Sequence, residues 1–291
     1  MFKRVLVATA RSEPAILRLA DILKNLPAQE VVLAHIVESI ISSPQRDRRR
    51  RKHAEKNLQA WAESVSQEIG LPITPVVQVG VPSRRLVEIA SEHEVDTILM
   101  SAFVGIPWKE FFLGSTPIDV IRYGDTHMLI LHPQKIDDGS SSGLSRPLLE
   151  HVLFATDFSD FCNASYEEFV TAADEGLQKV TLLHVQDVTR LDPHLIDRLP
   201  EFDAKDTERL EEMATALRDR GVEVDTRIEL GVPEKKIGDV SDELDVTCAA
   251  VGSRGRTPDD SLRWGSVSER VVREISTPVL VIKAPDMVTG D

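Results

Sequence analysis

The most constraining feature of this 291-residue sequence is that it repeats itself. Arg4–Thr9 reads RVLVAT and His151–Thr156 reads HVLFAT, which sets Thr9 and Thr156 at an offset of 147. Leu33–Val37 (LAHIV) is answered by Leu182–Val185 (LLHV), with the two histidines 149 apart. Three later pairs hold an offset of 151: GVP at Gly80–Pro82 and Gly231–Pro233, Gly-Ser at Gly114–Ser115 and Gly265–Ser266, and Thr126 and Thr277, which head the apolar runs HMLIL and PVLVI. Five matches in the same order indicate a duplication with small insertions in the early loops. Each half then has ordinary domain size. Between them, residues 133–149 read PQKIDDGSSSGLSRPLL, whose Gly/Ser-rich polar centre is a flexible linker. The expected organisation is a first domain over 1–133, a linker over 134–149 and a second domain over 150–291.

Each copy alternates short apolar runs with helical stretches. In the second copy, strands are expected near 151–156, 179–185, 223–229, 246–251 and 278–283, because runs such as VTLLHV and VTCAAV are β-branched and apolar on both faces. Helices are expected over about 160–176, 201–220, 233–243 and 266–275. Leu210, Met213 and Leu217 fall on one helical face, and Gly221 stands at the stop. Alternating β and α implies right-handed crossovers and a parallel sheet. The predicted fold is two tandem doubly wound, Rossmann-like α/β domains, each a five-stranded parallel sheet with helices on both faces. Ligands of such sheets sit at the carboxyl ends of the strands, where strand order reverses.

At that place in the second copy the sequence reads VGSRGRTPDDSLRWGSVS, with Gly252 and Gly255 two residues apart and Gly265–Ser266 nine residues later. Glycines admit phosphate oxygens to the backbone N–H groups without a Cβ in the way. A Gly-Ser pair opening a helix adds unpaired N–H donors, a hydroxyl and the positive end of the helix dipole. Arg254, and with it Arg256, adds local positive charge. A lone Gly-x-x-Gly says little; Gly-x2-Gly-x9-Gly-Ser after a buried strand says much more.

With that motif the sequence resembles the universal stress protein family in its tandem-domain form, over nearly the whole chain. The family's nucleotide-binding members carry Gly-x2-Gly-x9-Gly-(Ser/Thr), which stands here as Gly252, Gly255, Gly265 and Ser266, and an Asp after the first strand, which stands here as Asp157. The resemblance implies that Asp157 hydrogen-bonds the adenosine and that Ala155, Thr156 and Val185 line the adenine slot. It also implies that Val251 and Gly252 lie along the ribose, with Gly255, Gly265, Ser266 and Val267 around the phosphates. Asp157 also suits a cap for the helix opening near Ser159, and the two roles are compatible. The implied ligand is ATP with Mg²⁺, and the implied role is a nucleotide-dependent stress switch or sensor. The alternatives are a slow ATP hydrolase, and an adaptor whose bound ATP is structural. Against hydrolysis, no clear general base stands by the loop. Family members pair through the last strand, so the two copies are expected to form an intramolecular pseudo-dimer across 127–132 and 278–283, with a homodimer as a further option.

The first copy departs from the pattern. At an offset of 151, Gly252 becomes Ser101 and Gly255 becomes Val104, while Asp157 aligns with Ala10. The connecting loop is bulky, with Phe103, Ile106, Trp108, Phe111 and Phe112. Either the pocket is filled and inactive, or the loop is a site for an apolar ligand or a protein partner.

Composition narrows the rest. A net charge of −14 opposes nucleic-acid and anionic-membrane partners, and it also obliges any ATP site to rely on a strong local device. No run reaches the roughly 18 apolar residues of a membrane span. The opening MFKRVLVATARS is too short in apolar length for a signal peptide, so the expected location is cytoplasmic. Cys162 and Cys248 have no metal spacing and suit the core. His35 and His184 occupy matching strand ends and suit a role in the fold. The run Arg46–Lys52 suits a solvated helix face. No Walker-type lysine motif is present.

Overall fold

The computed structural model of the chain describes residues 1–9, 20–39, 44–101, 114–132, 146–189, 194, 198–255 and 264–284. It divides into two compact units, Met1–Pro133 and Gln134–Asp291. The first-copy loop 102–113, Ala10, Arg256 and most of the expected linker lie outside the described residues.

In the first unit the strands are β1 (Arg4–Ala8), β2 (Glu30–Val37), β3 (Ile73–Val79), β4 (Thr97–Ser101) and β5 (His127–Leu131). All neighbouring pairs run parallel, in the order β3-β2-β1-β4-β5. Helices α1 (Pro44–Ile69), α2 (Pro82–Glu92) and α3 (Ser115–Tyr123) connect them. Arg46 and Arg48–Lys52 are exposed along α1, as a solvated face requires.

The second unit repeats the plan. Its strands are β6 (His151–Thr156), β7 (Lys179–Asp187), β8 (Glu223–Gly231), β9 (Cys248–Gly252) and β10 (Val279–Ile282), parallel throughout in the order β10-β9-β6-β7-β8. Its helices are α4 (Asp160–Val170), α5 (Leu199–Arg218), α6 (Pro233–Glu243) and α7 (Ser266–Glu274). The helix expected over 160–176 ends its α-helical part at Val170 and tightens into a 3₁₀ turn, Thr171–Glu175, closed by Gly176 at φ 98°. Gly221, at φ 82°, follows the end of α5 as a left-handed stop.

Strands β6, β7 and β8 advance one way from the centre and β9 and β10 return the other way. Right-handed crossovers therefore put α4 and α5 on one face and α6 and α7 on the other. The aromatic core lies under α4, where Phe154 packs against Tyr166 (ring centroids 5.2 Å) and Phe169 (5.0 Å). The Tyr166 hydroxyl donates to the Met213 carbonyl on α5 at 2.5 Å and ties the two helices together. Both cysteines are buried thiols, and burial pushes the Cys248 thiol up to about 12, as a core residue should behave.

Candidate functional site

Strand order reverses between β6 and β9, so the carboxyl ends of these two strands open the crevice in which ligands of such sheets sit. Ala155 pairs in register with Val251, and side chains so paired in a parallel sheet share a face. Along β7 the alternation is fixed by contacts. His184 and Gln186 turn toward α5, where Gln186 donates to Asp203 and Asp206 at 3.0 Å each and His184 Nε2 lies 3.7 Å from Asp206 Oδ2. Val185, one residue away, therefore faces the opposite side, with Ala155 and Val251 and toward α6 and α7. Three of the residues expected at the adenosine end thus come together on one face, and Val185 and Ala155 are half-buried there.

After β6 the chain turns sharply. Phe158 adopts φ 58°, the left-handed region that a bulky residue enters only when its surroundings hold it. They do: its N–H donates to Thr156 Oγ1 (3.0 Å), its ring centroid lies 4.4 Å from that of His184, and the Arg209 guanidinium stands over the same ring, 4.7 Å from its centroid. His184 Nδ1 lies 2.8 Å from the Thr156 carbonyl, so this histidine braces the corner, in keeping with a fold role. In the first unit His35 Nδ1 lies 3.2 Å from the Thr9 carbonyl in the same way.

This corner presents Asp157. Its Oδ1 accepts from the N–H (3.0 Å) and the hydroxyl (2.6 Å) of Ser159, which itself caps α4 by accepting from the Cys162 N–H. Capping of α4 is thus the work of Ser159, with Asp157 behind it. The other carboxylate oxygen faces Gly255: a Cβ at Gly255 would stand 2.7 Å from Asp157 Oδ2. The two residues, 98 positions apart in sequence, touch.

Beyond β9 the loop is pinned at three points. Ser253 N–H donates to the Ile282 carbonyl (2.8 Å), Gly265 N–H to the Ser253 carbonyl (2.8 Å), and Ser268 Oγ to the Gly252 carbonyl (2.7 Å). The last two bonds bring the far end of the motif back to its start. A Cβ at Gly265 would lie 3.5 Å from Gly255 N, and one at Gly252 would press on Ser165 Oγ at 3.1 Å. Gly252, Gly255 and Gly265 therefore form one close-packed backbone cradle. Gly265 is the N-cap of α7 and has no side chain with which to cap it, and the N–H groups of Ser266, Val267 and Ser268 lack the intrahelical acceptors that later residues have. Arg254 lies over the Phe161 ring at 5.2 Å, half-buried at the mouth of the loop. Trp264, one residue before the N-cap, is only 5 % exposed, and its indole N–H has no acceptor among the described residues.

Ala155, Val185 and Val251 thus share one face and Asp157, Gly252, Gly255 and Gly265 meet beside it, whereas Thr156 pairs in register with His184 and turns its hydroxyl to the other face, where it accepts from the Phe158 N–H. Sequence reasoning did not find the left-handed Phe158, the Phe158–His184–Arg209 stack or the ion pair between Glu234 on α6 and Arg270 on α7 (2.7 Å). A signal for the last existed: at the offset of 151, Arg270 aligns with Asp119, a reversal of charge between the copies.

Comparison with known proteins agrees with the fold. The model of the universal stress protein family matches twice, over residues 1–132 and 149–283. A universal stress protein of Methanocaldococcus jannaschii is 26% identical over 154 residues, covering 45% of this chain and 95% of that protein. Universal stress protein E of Escherichia coli is 30% identical over 141 residues, 42% of this chain and 44% of that protein. Among solved structures, a universal stress protein from Archaeoglobus fulgidus superposes with a TM-score of 0.74 at 21% identity, covering 97% of this chain and 98% of that one.

Proposed function

The chain belongs to the universal stress protein family, and from that premise we propose that its second half binds ATP with Mg²⁺ and acts as a nucleotide-dependent stress switch or sensor. The observation that carries this reading is the meeting of Gly255, Gly265 and the amino terminus of α7 in one cradle, within reach of the Asp157 carboxylate. Backbone N–H groups and a helix dipole aimed at one point suit phosphate oxygens. In a protein of net charge −14 they supply the local attraction that the whole molecule does not.

Each site residue takes a role in this reading. Asp157 accepts from the adenosine. Ala155, Thr156 and Val185 bound the base, and Val251 and Gly252 run along the ribose. Gly255, Gly265, Ser266 and Val267 hold the phosphates, with Arg254 adding charge at the loop mouth. Mg²⁺ travels with the phosphates. Three alignments speak against a second site in the first half: Ala10 for Asp157, Ser101 for Gly252 and Val104 for Gly255.

Native mass spectrometry of gently purified protein tests the reading. Retained ATP is the expected result for a switch. ADP or AMP would favour slow turnover, and a chain that neither retains nor takes up nucleotide would refute the proposal and leave the adaptor role.

A further inference from the structure

The Glu234–Arg270 pair lies beside the cradle and no role assigned above uses it. Glu234 occupies the first turn of α6 and is 6 % exposed. Its Oε1 accepts from Arg270 Nη1 at 2.7 Å. A carboxylate buried to this degree is costly unless it is paired and hydrogen-bonded, so the pair fixes the guanidinium rather than merely decorating two helices. Arg270 follows Ser266 by one helical turn and shares its face of α7. Helical side chains lean toward the amino terminus of their helix, which brings the guanidinium back toward the end opened by Gly265 and Ser266. The Arg270 side chain is 56 % exposed, and the pair occupies one of its five N–H donors. The Glu234 carboxylate, with weaker attraction from Glu274 and from Asp187 at the end of β7, keeps the cation firmly protonated.

The repeat supplies a control within the same chain. At the offset of 151, Glu234 aligns with Ser83 and Arg270 with Asp119. The half with the intact glycines thus carries a held cation one turn into its anion-facing helix, and the half without them carries a carboxylate at the same position. On the nucleotide reading given above, we propose that Arg270, aimed by Glu234, is a specificity-determining residue that binds phosphate oxygens and so separates nucleotide from nucleoside.

Calorimetric titration of the full chain with ATP–Mg²⁺ and, separately, with adenosine tests this. Arg270→Met should weaken ATP about tenfold or more, the effect of one charge-assisted contact, while adenosine binding stays within about twofold. Arg270→Lys, which keeps the charge, should recover part of the loss. Glu234→Gln should weaken ATP severalfold with adenosine again unchanged. Thermal unfolding checks that each variant folds, and the Lys variant carries the test if the Met variant does not. An unchanged ratio of ATP to adenosine affinity in the folded variants would make the pair a brace between α6 and α7 and overturn the proposal. A wild-type chain that binds neither ligand would overturn the nucleotide reading itself, a result distinct from the first.

Discussion

At the carboxyl end of its first strand one half of this chain carries Thr9-Ala10 and the other Thr156-Asp157; in the last helix, one carries Asp119 where the other carries Arg270. Around these differences the halves agree closely. Both have the strand order 3-2-1-4-5, both place a histidine of the second strand against the carbonyl that ends the first, and both open their last helix with Gly-Ser. Residues that shape the scaffold are shared, the Gly-Ser pair among them, and the other residues proposed to meet the nucleotide are not. The scaffold and the site are therefore separable: a doubly wound sheet supplies a crevice and a helix terminus wherever it forms, but a helix terminus alone contributes only roughly 0.3–2 kcal/mol toward holding an anion, against the roughly 8 kcal/mol of micromolar binding.

The most direct way to break the comparison is to count ligands. Titration of the full chain with ATP–Mg²⁺ should give one site per chain; a stoichiometry near two would make the halves functionally equal. Next in size is the cradle. Gly255→Val would drive a branched side chain into the Asp157 carboxylate, and Gly265→Val would fill the space before Gly255 N. Each should reduce ATP affinity by roughly 100-fold or more, since several backbone contacts are lost together, and each should leave the far-ultraviolet circular dichroism intact. Full affinity in both variants would remove the cradle from the site. Asp157→Ala should cost less, about 10- to 100-fold for one charge-assisted hydrogen bond, and it should also lower the melting temperature slightly because Ser159 loses its partner. Unchanged affinity for ATP and for adenosine would leave Asp157 a purely structural residue.

The smallest expected effect lies at the opposite end of the strands. Burial, helped by the charge of Lys179, holds the His151 imidazole below its ordinary range, with Asp225 pulling weakly the other way. The unfolded chain therefore takes up the proton first. The second half should lose stability as pH falls through about 6.5, the ordinary histidine range, and the loss should stop below the depressed value. The first half has Arg4 at this position, which stays charged and makes no such contribution. Melting curves at pH about 7.5 and about 5.5 should show a smaller acid-induced drop for His151→Gln than for the wild-type chain. Equal drops would exclude His151 as the source.

Much of this was legible in the sequence because it is local. Apolar runs bounded by glycine and proline marked the strands; β7 proved two residues longer than its apolar run, ending in the polar Gln186-Asp187, and β10 begins after Pro278, which cannot donate to a ladder. The glycine spacing marked the loop because backbone approach leaves a compositional trace. What escaped was the set of contacts between distant positions. Nothing near Asp157 announces that Gly255 packs on its carboxylate, and nothing near Phe158 announces a left-handed corner, since it is held by His184 and Arg209 rather than by a glycine. The Glu234–Arg270 pair joins residues 36 apart. It becomes visible only when the two copies are set against each other and the charge at one position changes sign.

Trp264 gives the second half an optical signal of its own. Its indole is buried, with a donor that meets no acceptor among the described residues, one residue from the N-cap of α7. The other two of the chain's three tryptophans, Trp61 and Trp108, belong to the first half. Emission from such an indole responds to any nearby change in polarity or hydrogen bonding, so a ligand settling into the cradle should register as a spectral shift or a change in quenching. With Trp61 and Trp108 replaced by phenylalanine, the chain would carry a single built-in fluorophore, and occupancy of one half could be followed in real time without a label.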